Sequence, residues 1–586
     1  MGYAEKNERL NPLTTDLYQI TMSQGFFNEG IAERESAYYL HWRTPAFKGG
    51  SYSTVAGIEE AVDFLKNFKF TDDDIAYLAA QTRKNKRTGE DVPLFTPEFL
   101  KFLKETPMKL DVEALPEGEV QTTPGPVMRI KGPLYQCQLV ESALLNILNR
   151  NSIIATRASQ LHEVADGSPV ADFGLRRAAS LDVGGARAAY IGGCAATADT
   201  DAGRRLDIPT TGTMAHAWIM NFQEEGKPNV ETELVSFKAF LKSMPHNSIL
   251  LVDTYDPYQG IDNAIKAAIE MNTPLDGMRL DSGELADIAW YASKQIEKAK
   301  ETHSDLFSAT KVFITDGLYE EKIIELQQKL NAISQKEDGK PFPKILAYGV
   351  GTELQNPGPF RGGVYKVSAH EVHQTQASEH PKGLIETVIG GIKRFMEPVM
   401  KLAGINSENS ALPASKASIP GVELDIMRLW KDGKIVADIV VDKARGTENL
   451  LAGGKAINLD DNKTEVALPA YDKAETLLQP IFKRNAQGVS EYVFDEPEKK
   501  TLYNGKQVTD LAKIRDFHLA RKAALPENVR RIDHTEKPVV LIDPAIQKLR
   551  LDIIAKTNEE LAAKPGKTTT GNLQAHGGQD QQQKIS

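Results

Sequence analysis

The chain has 586 residues, 41% of them hydrophobic and 26% charged, with a formal net charge of −10. That composition suits a globular protein with a large core and room for more than one domain. The acidic balance excludes a general nucleic-acid binder, which carries a basic stripe, but leaves room for a local phosphate pocket. The two cysteines, Cys137 and Cys194, lie in unrelated contexts, so neither a disulfide framework nor a structural zinc is expected. The opening MGYAEKNERLN lacks an apolar signal region, and no apolar run approaches the ~18 residues of a membrane span. No membrane location is expected, and a reducing cytoplasm is the expected compartment.

In chain order, residues 15–29 read as a helix, 36–42 as a strand, Gly49-Gly50 as a turn and 57–68 as an amphipathic helix. Residues 110–130, rich in Val, Pro and Gly, read as short strands with turns. Between 135 and 164, Leu139, Ala143 and Ile147 recur at helical spacing, as do Val140, Leu144 and Leu148, which predicts a buried helix.

Six short apolar runs follow, each ending in a polar or glycine-rich tip. The tips are DFGLRR (172–177), TTGTMAH (210–216), VDTYD (252–256), RLDSGEL (279–285), ITDG (314–317) and YGVGT (348–352). From start to start they recur about every 27 to 42 residues, the period of a strand, loop, helix and return loop in a β/α barrel. Amphipathic stretches at 261–271, 284–299 and 320–333 supply helices, and ILLVD and KVFIT read as fully covered parallel strands. With only six clear tips, the barrel is expected to be irregular or open.

Beyond 352 the pattern changes. Residues 369–383 are polar and His-rich and read as a loop insertion. Residues 424–441 read as a hairpin turning at WKDGK, with a mixed segment continuing to about 525. The expected fold is α/β: an irregular (open) β/α barrel over 136–365, with an additional α/β domain built from N- and C-terminal segments (1–135 and 366–530). An extension covers 531–586 and reads as disordered from about 567.

Parallel barrel strands gather their polar ends at one mouth, so the tips form one candidate site. Gly349, Gly351 and Thr352 can bring amides and a hydroxyl to a phosphate, although a plain turn has the same sequence. Arg279 suits a carboxylate or phosphate, unless it merely neutralises Asp281; Ser282-Gly283 turns into the next helix. Phe173 can stack on a flat ring beside Arg176, or be a core residue beside a solvated arginine pair. His216 starts a helix at a strand tip, and Asp253, one strand along, is the natural carboxylate to orient its imidazole. Neither GxSxG nor GxxxxGK[ST] occurs, which excludes a serine-hydrolase elbow and a P-loop. The tips hold no Lys and one His, which disfavours a Schiff-base or metal-cluster barrel.

Together with LTTDLYQITM (13–22), the segments FGLRRA, GTMAHAW, LLVDTYD, MRLDSGEL, TDGL and GVGT resemble those of the nicotinate phosphoribosyltransferases, a type II phosphoribosyltransferase family, over residues 10–360. The resemblance implies displacement of pyrophosphate from 5-phosphoribosyl 1-diphosphate by nicotinate, giving nicotinate mononucleotide for NAD biosynthesis. It implies coupling to ATP hydrolysis through phosphorylation of His216, oriented by Asp253. It places the pyridine ring between Phe173 and Tyr18, the latter from a neighbouring subunit in a homodimer with shared sites. Arg279 and Thr213 are expected to contact nicotinate, with Ser282 also at the substrate. Arg176 is expected beside the ring and phosphoribosyl group, Asp281 near the ribose, and Gly349, Gly351 and Thr352 at the 5′-phosphate. Mg²⁺ is expected on the substrate pyrophosphate, with no protein ligands assigned. The segment 41–53 fits the family pattern loosely, and 368–396 looks expanded before PVMKL (398–402). The alternative is nicotinamide as substrate, but a neutral amide wants a carboxylate near Thr213, and GTMAHAW supplies none.

Overall fold

The computed structural model describes residues 10–370, 423–548 and 552, apart from 48–49, 123, 359–361, 444–450, 452–453, 459–464, 494–500, 504–505, 509–510 and 531–539. The expected Gly49-Gly50 turn falls partly outside the described residues, and nearly all of the 369–383 loop, PVMKL and the tail from 567 fall outside them. By contacts the chain divides into two units, 1–373 with 420–546, and 374–419 with 547–586. The second lies almost wholly outside the described residues.

The two largest cores of the first unit among the described residues are joined by one long helix, α1 (Glu141–Val164), whose 24 residues span about 36 Å. Its first half, with Ala143, Leu144, Ile147 and Leu148, packs into the core of an antiparallel sheet. Its second half, from Ile153 to Leu161, enters the barrel core. The helical spacing read from the sequence, through Ile147 and Leu148, marks the buried face of the first half.

The antiparallel sheet draws its strands from both ends of the chain. Glu35–Trp42 lies between Gly363–His370 and Gly125–Pro133; the sheet continues through Asp111–Ala114 to Gln479–Arg484 and Ser490–Tyr492. A second sheet contains the predicted hairpin, Leu424–Lys431 with Lys434–Asp442. Asp432 and Gly433 make its turn with φ of 50° and 72°, the positive values a tight hairpin demands.

The barrel is built from six parallel strands: β1 (Val170–Asp172), β2 (Ala196–Thr197), β3 (Ile249–Leu251), β4 (Gly277–Leu280), β5 (Lys311–Ile314) and β6 (Leu346–Val350). Their order is β3-β4-β5-β6-β1-β2. Crossovers run through α2 (Gly184–Gly192), α3 (His216–Met220), α4 (Asn229–Ser243), α5 (Pro257–Met271), α6 (Leu285–Thr302) and α7 (Glu320–Asp338). α8 (Thr352–Gln355) follows the last strand.

Five of the six expected strands are found. The sixth differs: the segment before TTGTMAH forms only an isolated parallel bridge, Thr210 to Thr197. It lies beside an additional strand, β2, which pairs with β1 and whose two residues sit in the short, small-residue stretch CAATA (194–198). The sheet therefore stays open between Thr210 and β3. The physical cause is pairing: Thr210 reaches β2 through one bridge, and β3 pairs only with β4.

Helix signals match the sequence. Asp256 caps α5 by accepting from Gln259 N at 2.8 Å, with Pro257 in the first turn. α5 also packs tightly on the end of β3: a Cβ at Gly260 would lie 1.9 Å from Val252 O, so only glycine fits there. Among the described residues no helix is long and apolar enough to cross a membrane.

Candidate active site

Arg279 and Asp281 leave the end of β4 two residues apart and so share a face. They pair, with Nη2 of Arg279 3.0 Å from Asp281 Oδ1. The rest of the guanidinium is held as well. Nε donates to Thr315 Oγ1 at 3.2 Å, and Nη1 donates to Thr213 Oγ1 at 3.1 Å and to Met214 O at 3.2 Å. Of five N–H groups, one on Nη2 is left for a ligand. The tips ending in Thr213, Asp281 and Thr315 are thus brought together around one arginine.

His216 begins α3 and is partly exposed, its side chain 38% accessible. Its Nε2 faces Asp281 Oδ2 at 3.9 Å. The expected Asp253–His216 pairing is corrected here: Nδ1 meets Thr254 Oγ1 at 3.1 Å. The physical reason is competition for the carboxylate: both hydrogen bonds to Asp253 Oδ2 come from the loop after β4, and Thr254, in the bend beyond β3, meets the imidazole instead. Asp253 is buried, and its Oδ2 accepts from Asp281 N at 2.8 Å and Ser282 Oγ at 2.7 Å. It fastens the loop that carries Asp281. The hydroxyl hydrogen of Ser282 is spent in that bond.

Phe173 follows β1 with its N donating to Val350 O at 2.8 Å. Its ring rests on Gly349, where a Cβ would come within 2.6 Å of a ring carbon. Gly349 itself is a buried residue of β6, in register with Ala171. Its visible task is therefore to seat the ring, while Gly351 and the exposed Thr352 stand at the mouth where α8 begins. Gly349→Ala is expected to push the Phe173 ring out of its seat, since the added methyl would meet the ring carbons. A crystal structure of the variant checks this; an unmoved ring would count against it.

The DFGLRR loop is fixed by a group that sequence reading missed. Asp172 is buried, and its carboxylate accepts from Gly174 N at 2.9 Å, Thr197 Oγ1 at 3.1 Å and Gln355 Nε2 at 2.9 Å. Burial raises its pKa, and these hydrogen bonds pull it back down. Gln355 fills the space that Cβ atoms on Gly174 and Gly185 would need, both 2.3 Å away. Paired glycines opposite a buried Gln are the only sequence signal of this lock. Beyond it, Arg176 is exposed on the turn Leu175–Arg177.

Tyr18 lies on the helix Leu17–Asn28 and is 49% exposed, with its hydroxyl accepting from Gln19 Nε2 at 2.9 Å. Burial first, then the charge of Glu141, raises its pKa. Among the described residues no three His, Cys, Asp or Glu side chains converge as a metal cage. The mouth offers the half-buried carboxylate of Asp281, a donor set that fits a magnesium ion held mainly by substrate oxygens and water.

An open parallel barrel with its charged groups gathered at the strand ends places the chain among the α/β barrel proteins that carry their site at that mouth. Two family models match the chain, the nicotinate phosphoribosyltransferase N-terminal domain over residues 13–149 and the nicotinate phosphoribosyltransferase family over 169–376. The nicotinate phosphoribosyltransferase of Bacillus subtilis is 35% identical over 378 residues, covering 63% of this chain and 69% of that protein. A nicotinate phosphoribosyltransferase of Mycobacterium tuberculosis is 32% identical over 370 residues, covering 62% and 71%. In fold, the chain is similar to human nicotinic acid phosphoribosyltransferase, with TM-score 0.64 at 20% identity, covering 92% of this chain and 99% of that one. The chain belongs to the nicotinate phosphoribosyltransferase family.

Proposed function

We propose that this chain condenses nicotinate with 5-phosphoribosyl 1-diphosphate, giving nicotinate mononucleotide and pyrophosphate in NAD biosynthesis. The observation that carries the reading is the Arg279 cluster: a guanidinium locked by Thr213, Met214 and Thr315, with one outward N–H beside a carboxylate. Arg279 receives the substrate carboxylate through its remaining N–H, the Thr213 hydroxyl turns from Met214 O, 3.1 Å away, to join it, and Phe173 covers one face of the pyridine ring. Tyr18, half-exposed in the single chain, covers the other face from a partner subunit of a homodimer. Gly351 and Thr352 take the 5′-phosphate, Arg176 the phosphoribosyl side.

Breaking the C1–O bond leaves positive charge on the ribose and negative charge on the departing pyrophosphate. The second oxygen of Asp281 stands where it can stabilise the ribose cation. Magnesium, when bound, neutralises the diphosphate. A ring nitrogen of His216 takes the γ-phosphoryl group of ATP with release of ADP, and the negative charge gained next to Asp281 alters how the mouth holds the diphosphate. Water then cleaves the P–N bond to release orthophosphate and restore the imidazole. Nicotinamide is the second reading; the cationic receptor at Arg279 favours the acid. The compartment is the cytoplasm.

The test is product detection with purified protein, nicotinate or nicotinamide, and phosphoribosyl diphosphate, with and without ATP. Mononucleotide is expected from nicotinate, with yield rising on ATP addition. His216→Ala is expected to lose that ATP stimulation. Turnover of nicotinamide alone would overturn the substrate assignment, and ATP coupling intact in His216→Ala would overturn the phosphohistidine.

A further inference from the structure

ITDG was the one tip whose sequence suggested no task, yet its Thr315 stands at the centre of the mouth. The residue is buried, 4% exposed. Its Oγ1 accepts from Arg279 Nε, lies 3.0 Å from Leu280 O, and makes a short hydrogen bond to Asp281 Oδ1. A hydroxyl has one hydrogen to give, and an ionised carboxylate is a stronger acceptor than a peptide oxygen. One oxygen thus serves as acceptor to the guanidinium and donor to the carboxylate. The methyl group turns to the other side: Thr315 Cγ2 would lie 2.9 Å from a Cβ on Gly349, the glycine beneath the Phe173 ring.

An arginine and a carboxylate two residues apart on one face tend to close into a two-point pair, with both carboxylate oxygens on one edge of the guanidinium. Such a pair would neutralise itself and leave the mouth inert. The side edge that would chelate the carboxylate is Nε with Nη2. Thr315 occupies Nε, so Asp281 reaches only Nη2, at 3.0 Å. The far oxygen, Asp281 Oδ2, is left facing His216.

We propose that Thr315 is a positioning residue that holds Arg279 and Asp281 in a one-point pair, so that Arg279 keeps an N–H for the acid and Asp281 keeps an oxygen for the phosphoribosyl group. The proposal rests on the functional reading above for the names of the two ligands. The pairing geometry itself does not depend on them.

The test uses the full chain with Thr315→Val, which removes the hydroxyl and keeps the shape, and Thr315→Ser, which keeps the hydroxyl. Thr315→Ala is a second loss variant should the valine protein fail to fold. In the loss variant, KM is expected to rise about tenfold or more for both substrates, since two charge-assisted hydrogen bonds are lost, while Thr315→Ser stays within about threefold. A crystal structure of the loss variant is expected to show Arg279 and Asp281 closed into a two-point pair. Wild-type constants in the loss variants, equal defects in Val and Ser, or an unmoved guanidinium would each overturn the proposal. A wild-type protein that makes no mononucleotide would instead overturn the functional reading, while the crystallographic arm still decides the role of Thr315.

Discussion

Asp281→Asn is expected to lower kcat/KM for mononucleotide synthesis by about 10² to 10³, with most of the loss in kcat. Asparagine has the same shape and can still accept from Arg279 and pair with Thr315, so the mouth keeps its outline. What it lacks is the negative charge. In the ground state that charge is partly spent on Arg279. On the proposed mechanism the ribose becomes cationic as the C1–O bond breaks, and the carboxylate oxygen not engaged by Arg279 then gains an attraction it did not have before. An interaction that grows in the transition state acts on kcat. Steady-state kinetics alongside a melting curve separates this from misfolding. An asparagine variant within threefold of the parent would show that Asp281 is not the carboxylate serving the ribose.

Acid lability is the second large effect, and it arises far from the mouth. α9 (Leu511–Ala524) carries His518, which is fully buried. Its Nδ1 lies 3.0 Å from Gly118 O and its Nε2 2.9 Å from Ser159 Oγ. Burial, helped by the charge of Lys522, pushes its pKa down to about 3, so it is neutral in the fold. His162 is also pushed down to about 3, by burial and then Lys522, whose Nζ lies 3.1 Å from His162 Nδ1. Lys522 spreads its three hydrogens over Ser159 O at 3.1 Å, this imidazole and Glu163 at 3.4 Å.

The folded values lie below the unfolded value near 6.5, so the unfolded chain binds the extra protons. Stability from these groups is complete above about pH 6.5 and is lost as the pH falls from there toward 3. At pH 5 the loss from His518 alone is about 2 kcal/mol. Denaturant midpoints are expected to fall steeply between pH 7 and 5, and more gently in His518→Asn. Parallel slopes in the two proteins would remove His518 as a source of the lability.

Much of the fold was legible because covered parallel strands must be apolar and must end in polar loops. That rule found β1, β3, β4, β5 and β6 from their tips, and helical spacing found α1, α5, α6 and α7. It failed where an element is too short to build a pattern. β2 has two residues in a stretch of small side chains, CAATA, with no β-branched or aromatic run to mark it, and Thr210 joins the sheet through one bridge. At the mouth, residue type identified Arg279, Asp281, His216 and Phe173 as the groups the tips bring forward. The fine assignments moved by one position or by one strand. Thr254 rather than Asp253 meets His216, because the Asp253 carboxylate is engaged by the backbone and hydroxyl of the loop after β4, a partner far away in the sequence. Gly349 seats a ring, because what a missing Cβ makes room for is a neighbour from β1, 176 positions earlier at Phe173.

The sequence by itself determined the barrel period, the chemistry available at the tips and the family. Those follow from local composition: apolar runs, turns and a few charged side chains in fixed order. Only the tertiary structure decided how those side chains share hydrogens. Arg279 has five N–H groups, and which of them remain open depends on Thr213, Met214, Thr315 and Asp281 arriving from three loops and strand ends at hydrogen-bond distance. No linear pattern encodes that division, because each partner is set by the curl of the sheet rather than by its neighbours in the chain.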